Sequence, residues 1–288
     1  MRAKNNGRFP YSHSVLILCE NSQAVLIDTG CGLDILKKVQ KTFNIRTIIN
    51  SHTHPDHSAG NWLFQNDNCS IRVPEEGFES SGDIIALSER FVEPGWLASY
   101  WRNYISKSLG FKDCQPTLSY ASSSQLDFGE VVFKPIYTPG HTQDHYCFYE
   151  PNLGVLLAFD YDLTAFGPWY GHRESSIPEF KRSIKTLIKL NPRILISGHR
   201  GIIEENIIEQ LGNFLQQFDE RDSKILELLG ERNKTIGQLV EKAPIYGSFP
   251  YAKPLLRYWE GQMIKKHLKE LAKQDKVMQR KNGNYYVV

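Results

Sequence analysis

The chain has 288 residues and a net charge of +2, with 41% hydrophobic and 23% charged residues. This length and balance exclude a disulfide-stapled mini-protein and a disordered chain, and they fit one large domain or a domain with an appendage. No apolar run approaches the roughly 20 residues that span a bilayer, and residues 1–10 lack the apolar core of a secretory signal. Five scattered cysteines without a CxxC pair fit a reducing compartment. We therefore expect a cytoplasmic protein that does not enter a membrane.

The first part of the chain predicts strands around one helix. Apolar runs at 14–20 and 24–28 flank the hairpin signal Asn21-Ser22-Gln23. A helical period capped near residues 32–34 follows, and then a short buried strand at 46–50 leads into a histidine-rich loop. This β-β-α-β order, with a polar loop at the carboxyl end of a strand, predicts a layered α/β body.

The middle of the chain predicts an insertion. Irregularly spaced aromatic residues between positions 75 and 112 indicate short helices, which either pack a small core of their own or form a lid whose aromatics line a substrate pocket. The β pattern returns from Leu118. The elements predicted after that point are strands at 126–127, 131–137, 145–150 and 154–160, a helix at 178–190, a strand at 193–197 and a helix at 203–218.

The last 69 residues predict a separate winged-helix-like domain at 220–288, after a catalytic domain at 1–219 that contains the helical insertion 75–112. From Glu220 onward there are fourteen Lys or Arg against eight Asp or Glu, whereas the rest has twenty against twenty-four. Helices are predicted at 223–229, 236–240 and 255–273, before a hairpin around Asn282-Gly283. The basic tail either binds an anionic partner such as nucleic acid or carries a solvated lysine face, and we favour the latter.

Six of the nine histidines fall in three clusters, each just after a predicted strand. The first cluster contains His52, His54, Asp56 and His57, and neutral imidazole with carboxylate is the ligand set of borderline divalent metals. His52 and His54 are two apart in an extended segment, so they can share one ion, while Asp56 and His57 serve another. The second cluster contains His141 and His145, and His141 is the candidate third ligand of the first ion.

The third cluster ends at His199, and Asp160 ends a strand between the second and third clusters. This ordered set resembles the metallo-β-lactamase superfamily over residues 12–200. The resemblance implies an α/β fold, an αββα sandwich with metals at one edge of its two sheets. It implies one metal on His52, His54 and His141, and a second on Asp56, His57 and His199, with Asp160 bridging both.

Details of the motifs narrow the subfamily. Asp160 stands where true β-lactamases of the family have Cys or Ser, which disfavours antibiotic hydrolysis. His54 stands where flavin-coupled diiron reductases have Glu, which disfavours that branch. The segment 137–142 followed by His145 resembles the glyoxalase II-type hydrolases. Residues 197–199 with the winged-helix tail are similar to the β-lactamase-like protein 2 subgroup, which includes acyl thioesterases and an endoribonuclease. Arg200 departs from the usual Gly-His-Gly-Pro and is placed to meet an anionic substrate.

The ligand set predicts a metal-dependent hydrolase. Two divalent ions, expected to be zinc with iron or manganese left open, would activate a bridging hydroxide, and Asp56 would orient it and shuttle a proton. Asp28 and Thr142 are candidates for fixing imidazole tautomers. We take His13 and His267 as structural residues. The candidate substrate-binding residues are His145, Tyr170, His172 and Arg200.

The expected substrate is a small acyl thioester or related ester. The alternatives are a phosphodiesterase or ribonuclease with the same metal site, and a sulfur dioxygenase with a single iron. A DNA-binding or scaffolding protein with a vestigial site is disfavoured, because such a site has no reason to retain seven ligands. Nucleic acid is therefore not the favoured partner.

Overall fold

The computed structural model describes residues 1–20, 22–65 and 68–288, so the turn residue Asn21 lies outside the described residues. The strands are β1 (Val15–Leu18), β2 (Gln23–Ile27), β3 (Asn44–Ile49), β4 (Ser70–Pro74), β5 (Leu118–Tyr120), β6 (Leu126–Asp127), β7 (Val132–Tyr137), β8 (Tyr146–Glu150), β9 (Val155–Phe159), β10 (Ile194–Ser197), β11 (Gly201–Ile203), β12 (Val277–Gln279) and β13 (Tyr285–Val287). The helices are α1 (Leu33–Thr42), α2 (Pro55–Ser58), α3 (Phe78–Ser81), α4 (Ile84–Phe91), α5 (Trp96–Leu109), α6 (Ile177–Leu190), α7 (Ile207–Glu231), α8 (Ile236–Lys242) and α9 (Lys253–Lys273).

Two mixed sheets are stacked between helical layers. The first sheet has the order β1-β2-β3-β4-β5 and the second has the order β11-β10-β9-β8-β7-β6. Between them, Ile27 of the first sheet packs in one core with Phe148 of the second. Leu36 of α1 covers the outer face of the first sheet, and Phe180 of α6 with Phe214 of α7 covers that of the second. The arrangement is the αββα sandwich that the resemblance implies, and it confirms the layered α/β body predicted from the sequence.

The helical insertion does not pack a core of its own. Phe91 of α4 and Trp101 of α5 share one buried cluster with Leu255, Leu256 and Trp259 of α9. The expectation of a self-contained core is therefore wrong, because the apolar face of the insertion continues into the C-terminal helix. In the described part of the chain, no helix combines the length and the apolar character that crossing a bilayer requires.

The tail differs from its prediction at its start. The helices predicted at 203–218 and 223–229 are wrong as separate elements, because Ile203 ends β11 and a single helix, α7, runs from Ile207 to Glu231. The polar stretch around residue 220 does not interrupt it, since Arg221 is buried and donates to the carbonyl oxygens of Pro168 (2.5 Å) and Phe166 (2.6 Å). The boundary predicted between 219 and 220 thus falls inside a helix.

The rest of the tail contains α8, α9 and the hairpin of β12 and β13. Leu239 of α8, Ile264 and Leu268 of α9 and Val277 of β12 are buried in one cluster with Ile225 of α7. These elements match the predicted order of helices followed by a hairpin. The winged-helix assignment and the two-domain division stay predictions.

Candidate metal centre

Strand ends bring the predicted ligands to one edge of the sandwich. β2 and β3 are parallel, so Asp28 after β2 lies beside the loop that follows β3 and carries His52 to His57. β9 and β10 are also parallel, which places Asp160 and His199 together at the matching edge of the second sheet. His141 lies in the loop between β7 and β8. The carboxyl ends of parallel strands are the common location of ligand sites in α/β sheets.

The ligand atoms form two groups of buried or half-buried side chains. Within each group, one ligand atom per residue lies within 4.8 Å of the others. The two groups are His52, His54, His141 and Asp160, and Asp56, His57 and His199. These His and Asp clusters are suited to binding divalent metal ions.

Asp160 faces both groups with different oxygens. Its Oδ2 lies 3.0 Å from His141 Nε2 and 3.8 Å from His52 Nε2. Its Oδ1 lies 2.7 Å from His57 Nε2 and 3.4 Å from His199 Nε2. Phe159, just before it, has a left-handed backbone (φ 49°), a conformation that is strained for a non-glycine residue. One carboxylate is therefore held between the two groups.

Asp28 fixes the orientation of two histidines of the loop. Its Oδ2 lies 2.7 Å from His57 Nδ1 and accepts a hydrogen bond from Ser51 Oγ at 2.8 Å. Ser51 Oγ in turn lies 3.0 Å from His52 Nδ1. With both Nδ1 atoms occupied, the Nε2 atoms of His52 and His57 point to the centre. This is the arrangement in which an outer carboxylate sets the tautomer of a metal-binding imidazole.

A segment around Trp169 orients two more histidines. His141 Nδ1 donates to the Trp169 carbonyl oxygen at 2.8 Å, which leaves its Nε2 free for the centre. His54 is reversed, since its Nε2 contacts His172 Nδ1 at 2.7 Å and its Nδ1 lies 2.8 Å from His141 Nε2. His199 Nδ1, on the other side, donates to the carbonyl oxygen of Gly7 at 2.6 Å. All five ring orientations therefore converge on the same space.

Whether a metal would fit can be judged from the buried polar atoms at the centre. His52 Nε2 is buried without a hydrogen-bond partner among the described residues, and His57 Nε2 faces only Asp160 Oδ1, at 2.7 Å. A buried polar atom left unsatisfied costs about 1–3 kcal/mol, and more when it is charged. Imidazole nitrogen and carboxylate oxygen are ligands for divalent ions. The residues present therefore fit a metal.

The pKa values of the buried histidines shift in opposite directions. Burial lowers the pKa of His52 and of His54 well below the usual value, and neighbouring imidazoles add to this effect. Burial also opposes protonation of His57 and His199, but the Asp160 carboxylate outweighs it, so the pKa of His57 lies well above its usual value and that of His199 rises to about 10. Burial opposes ionisation of Asp160 as well, yet these two imidazoles hold its pKa well below its usual value. Positive charge thus collects around Asp160.

The four candidate substrate-binding residues are placed differently. In the described part of the chain, His172 lines the cavity beside the centre, whereas the other three do not. His145 is fully buried with its Nδ1 2.9 Å from Thr138 Oγ1, and the Tyr170 hydroxyl lies 2.6 Å from His267 Nε2. Arg200 donates to Leu163 O and to Gln210 Oε1. Their roles toward a substrate stay predictions.

The remaining histidines and Thr142 lie around the centre. His13 Nδ1 accepts a hydrogen bond from the Ala3 amide at 2.9 Å. His267 is buried between Tyr170 and Asp222, with its Nδ1 2.7 Å from Asp222 Oδ1. Thr142 is fully buried next to His141. Its tautomer-fixing role stays a prediction, whereas Asp28 makes the contact expected of it.

No sequence pattern indicated the ion-pair network that supports the loop carrying His52 to His57. Asp144 Oδ2 accepts hydrogen bonds from the Thr53 amide (3.1 Å) and hydroxyl (2.5 Å), between two predicted ligands. Arg90 of α4 lies 3.2 Å from Asp144 Oδ1 and 2.7 Å from Glu174 Oε1. Each of these charged residues looks like an ordinary surface residue in the sequence, because its charged partner lies far away along the chain.

A mostly apolar cavity of about 320 Å³ opens beside the clusters. At one end it is lined by His54, Asp56, His141, Asp160 and His199. The other walls come mostly from aromatic and aliphatic side chains of the N-terminal segment, the segment 162–172, the insertion and the tail, and they include the polar residues Arg8, Asp162 and Thr164. The volume lies at the lower end of the range for small-molecule sites.

A stacked αββα sandwich with His and Asp clusters at one edge is typical of one class of metal-binding proteins. Comparison with known proteins points to the same class. The family model "Metallo-beta-lactamase superfamily" matches residues 8–118. A metallo-beta-lactamase family protein from Thermus thermophilus has the same fold, with a TM-score of 0.76, 21% identity, and coverage of 97% of this chain and 96% of that one. The chain therefore has the metallo-β-lactamase fold, and its residues 8–118 match the model of that superfamily.

Two curated relatives are similar in sequence over much of the chain. The human protein named acyl-coenzyme A thioesterase MBLAC2 is 26% identical over 200 residues, which cover 61% of this chain and 67% of that protein. The atrochrysone carboxyl ACP thioesterase of Emericella nidulans is 25% identical over 226 residues, covering 74% of this chain and 59% of that protein.

Proposed function

We propose that the chain is a binuclear metal-dependent hydrolase of acyl thioesters or related small esters. The observation that carries the proposal is Asp160, whose two oxygens face two separate groups of imidazoles. A carboxylate shared between two groups of ligands is what a pair of cations requires. His52, His54 and His141 would hold one ion, and the second would be held by Asp56, His57 and His199.

The ions, which we propose to be zinc, would supply Lewis acidity that polarises the scissile carbonyl and lowers the pKa of water toward 7. The chain's own residues would do the rest. Asp56 lines the cavity, and its Oδ2 lies 3.7 Å from His199 Nε2. Burial raises the pKa of the Asp56 carboxyl. Its carboxylate is therefore placed to orient the attacking water and to accept its proton.

The acyl thioester is favoured over the alternatives by two features. The two relatives named above carry thioesterase names, and the cavity beside the centre is mostly apolar. A phosphodiesterase or ribonuclease would have to desolvate phosphates against this wall, which is costly. A sulfur dioxygenase with one iron would leave the second group of ligands unused. We propose the cytosol as the compartment, since the five cysteines are scattered along the chain without a CxxC pair.

The proposal is tested by metal analysis and by turnover. Mass spectrometry of the purified full chain should find two metals per chain, and acyl-CoA and acyl-glutathione thioesters should release thiol. Asp56→Asn should lower kcat by at least about 100-fold, the lower end for loss of a general base. The matched control is Asp34→Asn, an exposed aspartate paired with Lys4, which should retain full activity. A single iron, or thiol release that Asp56→Asn leaves intact, would refute the proposal.

A further inference from the structure

The cavity beside the centre has a charged end and an apolar end. Its charged end contains the proposed metal ligands His54, Asp160 and His199. Besides the proposed ligands, the lining contains Arg8, Asp162 and Thr164, and the remainder is mostly aromatic and aliphatic. A substrate that reaches the centre through this cavity therefore places its reacting group at the charged end and its apolar part against the opposite wall.

Separate parts of the chain build the apolar wall. Trp101 and Ile105 come from α5 of the insertion, and Leu256 and Trp259 come from α9 of the tail. Tyr251, on the connection between α8 and α9, is half exposed and lies at the rim. Because the insertion and the tail share one buried core, they hold this wall as a unit.

Packing keeps the wall in place before any ligand arrives. Trp169 Nε1 donates to the Tyr246 hydroxyl at 2.6 Å, and the rings of Trp169 and Trp259 meet edge to face at 5.4 Å. Gly171 allows this close approach, since a Cβ at this position would lie 2.8 Å from Trp259 Cβ. A preformed wall costs little ordering entropy on binding and so favours a ligand of complementary shape.

We propose that this cavity binds the acyl group of the substrate, as an unbranched apolar chain with its carbonyl toward the metal ligands. The inference rests on the proposed thioester function and adds the substrate class. At about 30 Å³ for each water-sized group, the cavity of about 320 Å³ holds about ten non-hydrogen atoms. The acyl groups that fit are therefore medium chains of about eight to ten carbons.

Turnover of a thioester series tests the length. From acetyl-CoA to octanoyl-CoA, each added CH₂ enters the apolar wall and should raise kcat/KM about fourfold, since burying one is worth about 0.8 kcal/mol. Beyond about ten carbons the gain should stop. Ile105→Phe narrows the cavity and should move the optimum to shorter chains. The matched control is Ile85→Phe on α4, where the isoleucine is exposed and outside the cavity lining, and it should leave the optimum unchanged.

Binding without turnover tests the cavity independently. Octanoate should quench the fluorescence of Trp101, Trp169 and Trp259 in the full metal-loaded chain and bind with a negative heat-capacity change, whereas acetate, with the same carboxylate, should bind at least about tenfold more weakly. Thiol release that ignores chain length, with equal binding of octanoate and acetate, overturns the acyl cavity and leaves the hydrolase standing. Octanoate binding in a chain that cleaves no thioester supports the cavity and removes the proposed reaction.

Discussion

The substitution His172→Phe tests how the metal centre is held. His172 Nδ1 lies 2.7 Å from His54 Nε2, and its ring is stacked on Phe91 at 4.1 Å with an interplanar angle of 17°. A phenyl ring retains the stacking and the volume but cannot hydrogen bond. His54 then loses the partner that keeps its Nδ1 directed to the centre.

The expected size of the effect follows from this contact. Loss of the outer hydrogen bond of a metal-binding histidine weakens the metal by about 10- to 100-fold, or about 1.4–2.7 kcal/mol. Only the ion held by His54 should weaken. Asp28→Asn is the comparison variant, because Asp28 contacts His57 of the other group directly and reaches His52 of the first group only through Ser51. It should weaken mainly the second ion.

The assay is a titration of metal-free protein with zinc against a fluorescent chelator, which resolves two affinities. Guanidinium unfolding of the metal-free proteins is the control, and the His172→Phe variant should lose only about 1 kcal/mol, the value of one hydrogen bond. If His172→Phe leaves both zinc affinities unchanged, or weakens both equally, then His172 does not orient His54 and the reasoning fails.

Two further predictions concern protons and the ion-pair network. The pKa values of His57 and His199 are raised, that of His199 to about 10, so both imidazoles are protonated at pH 7 in the metal-free chain. Zinc must displace these protons, so its binding should release about two protons, which calorimetry in buffers of different ionisation enthalpy measures. For the same reason zinc affinity should fall as the pH is lowered from 8 to 6. Proton release near zero would contradict the charge distribution. Arg90→Met leaves the buried Asp144 carboxylate without its cation and should lower the free energy of unfolding by about 3–5 kcal/mol. The control is Arg102→Met, since the Arg102 guanidinium contacts only serine hydroxyls among the described residues. This variant should change the free energy of unfolding by less than about 0.5 kcal/mol in the same denaturant titration. Equal losses in the two variants would contradict the network.

The sequence predicted the fold and the ligand groups where the signals are local. Apolar runs before His52 and before Asp160 indicated strands, whereas the placement of Asp160 and His199 in the site came from the resemblance to the metallo-β-lactamase superfamily. The candidate metal ligands of the first loop were visible because histidine and aspartate seldom cluster in one loop without a chemical reason. Contacts between distant positions left no such pattern. The carbonyl oxygen of Trp169, which orients His141 at 2.8 Å, is a backbone atom that any residue would provide.

The C-terminal tail makes contacts with the metal centre that its composition does not reveal. Charge and element order set residues 220–288 apart, yet these cues do not report which surface a helix buries. Lys266 of α9 donates to the His172 carbonyl oxygen at 2.6 Å, and the next residue, His267, contacts the Tyr170 hydroxyl. Both contacts hold the segment that orients two proposed metal ligands.

The same helix supplies part of the cavity wall through Leu256 and Trp259. If the tail were an independent module on a complete catalytic domain, its removal would leave the wall and the orientation of His54 and His141 intact. Here its removal would expose the aromatic wall to water and free the segment 169–172. The tail is therefore a structural part of the candidate metal centre and its cavity, while Lys265, Lys269 and Lys273 of α9 remain exposed.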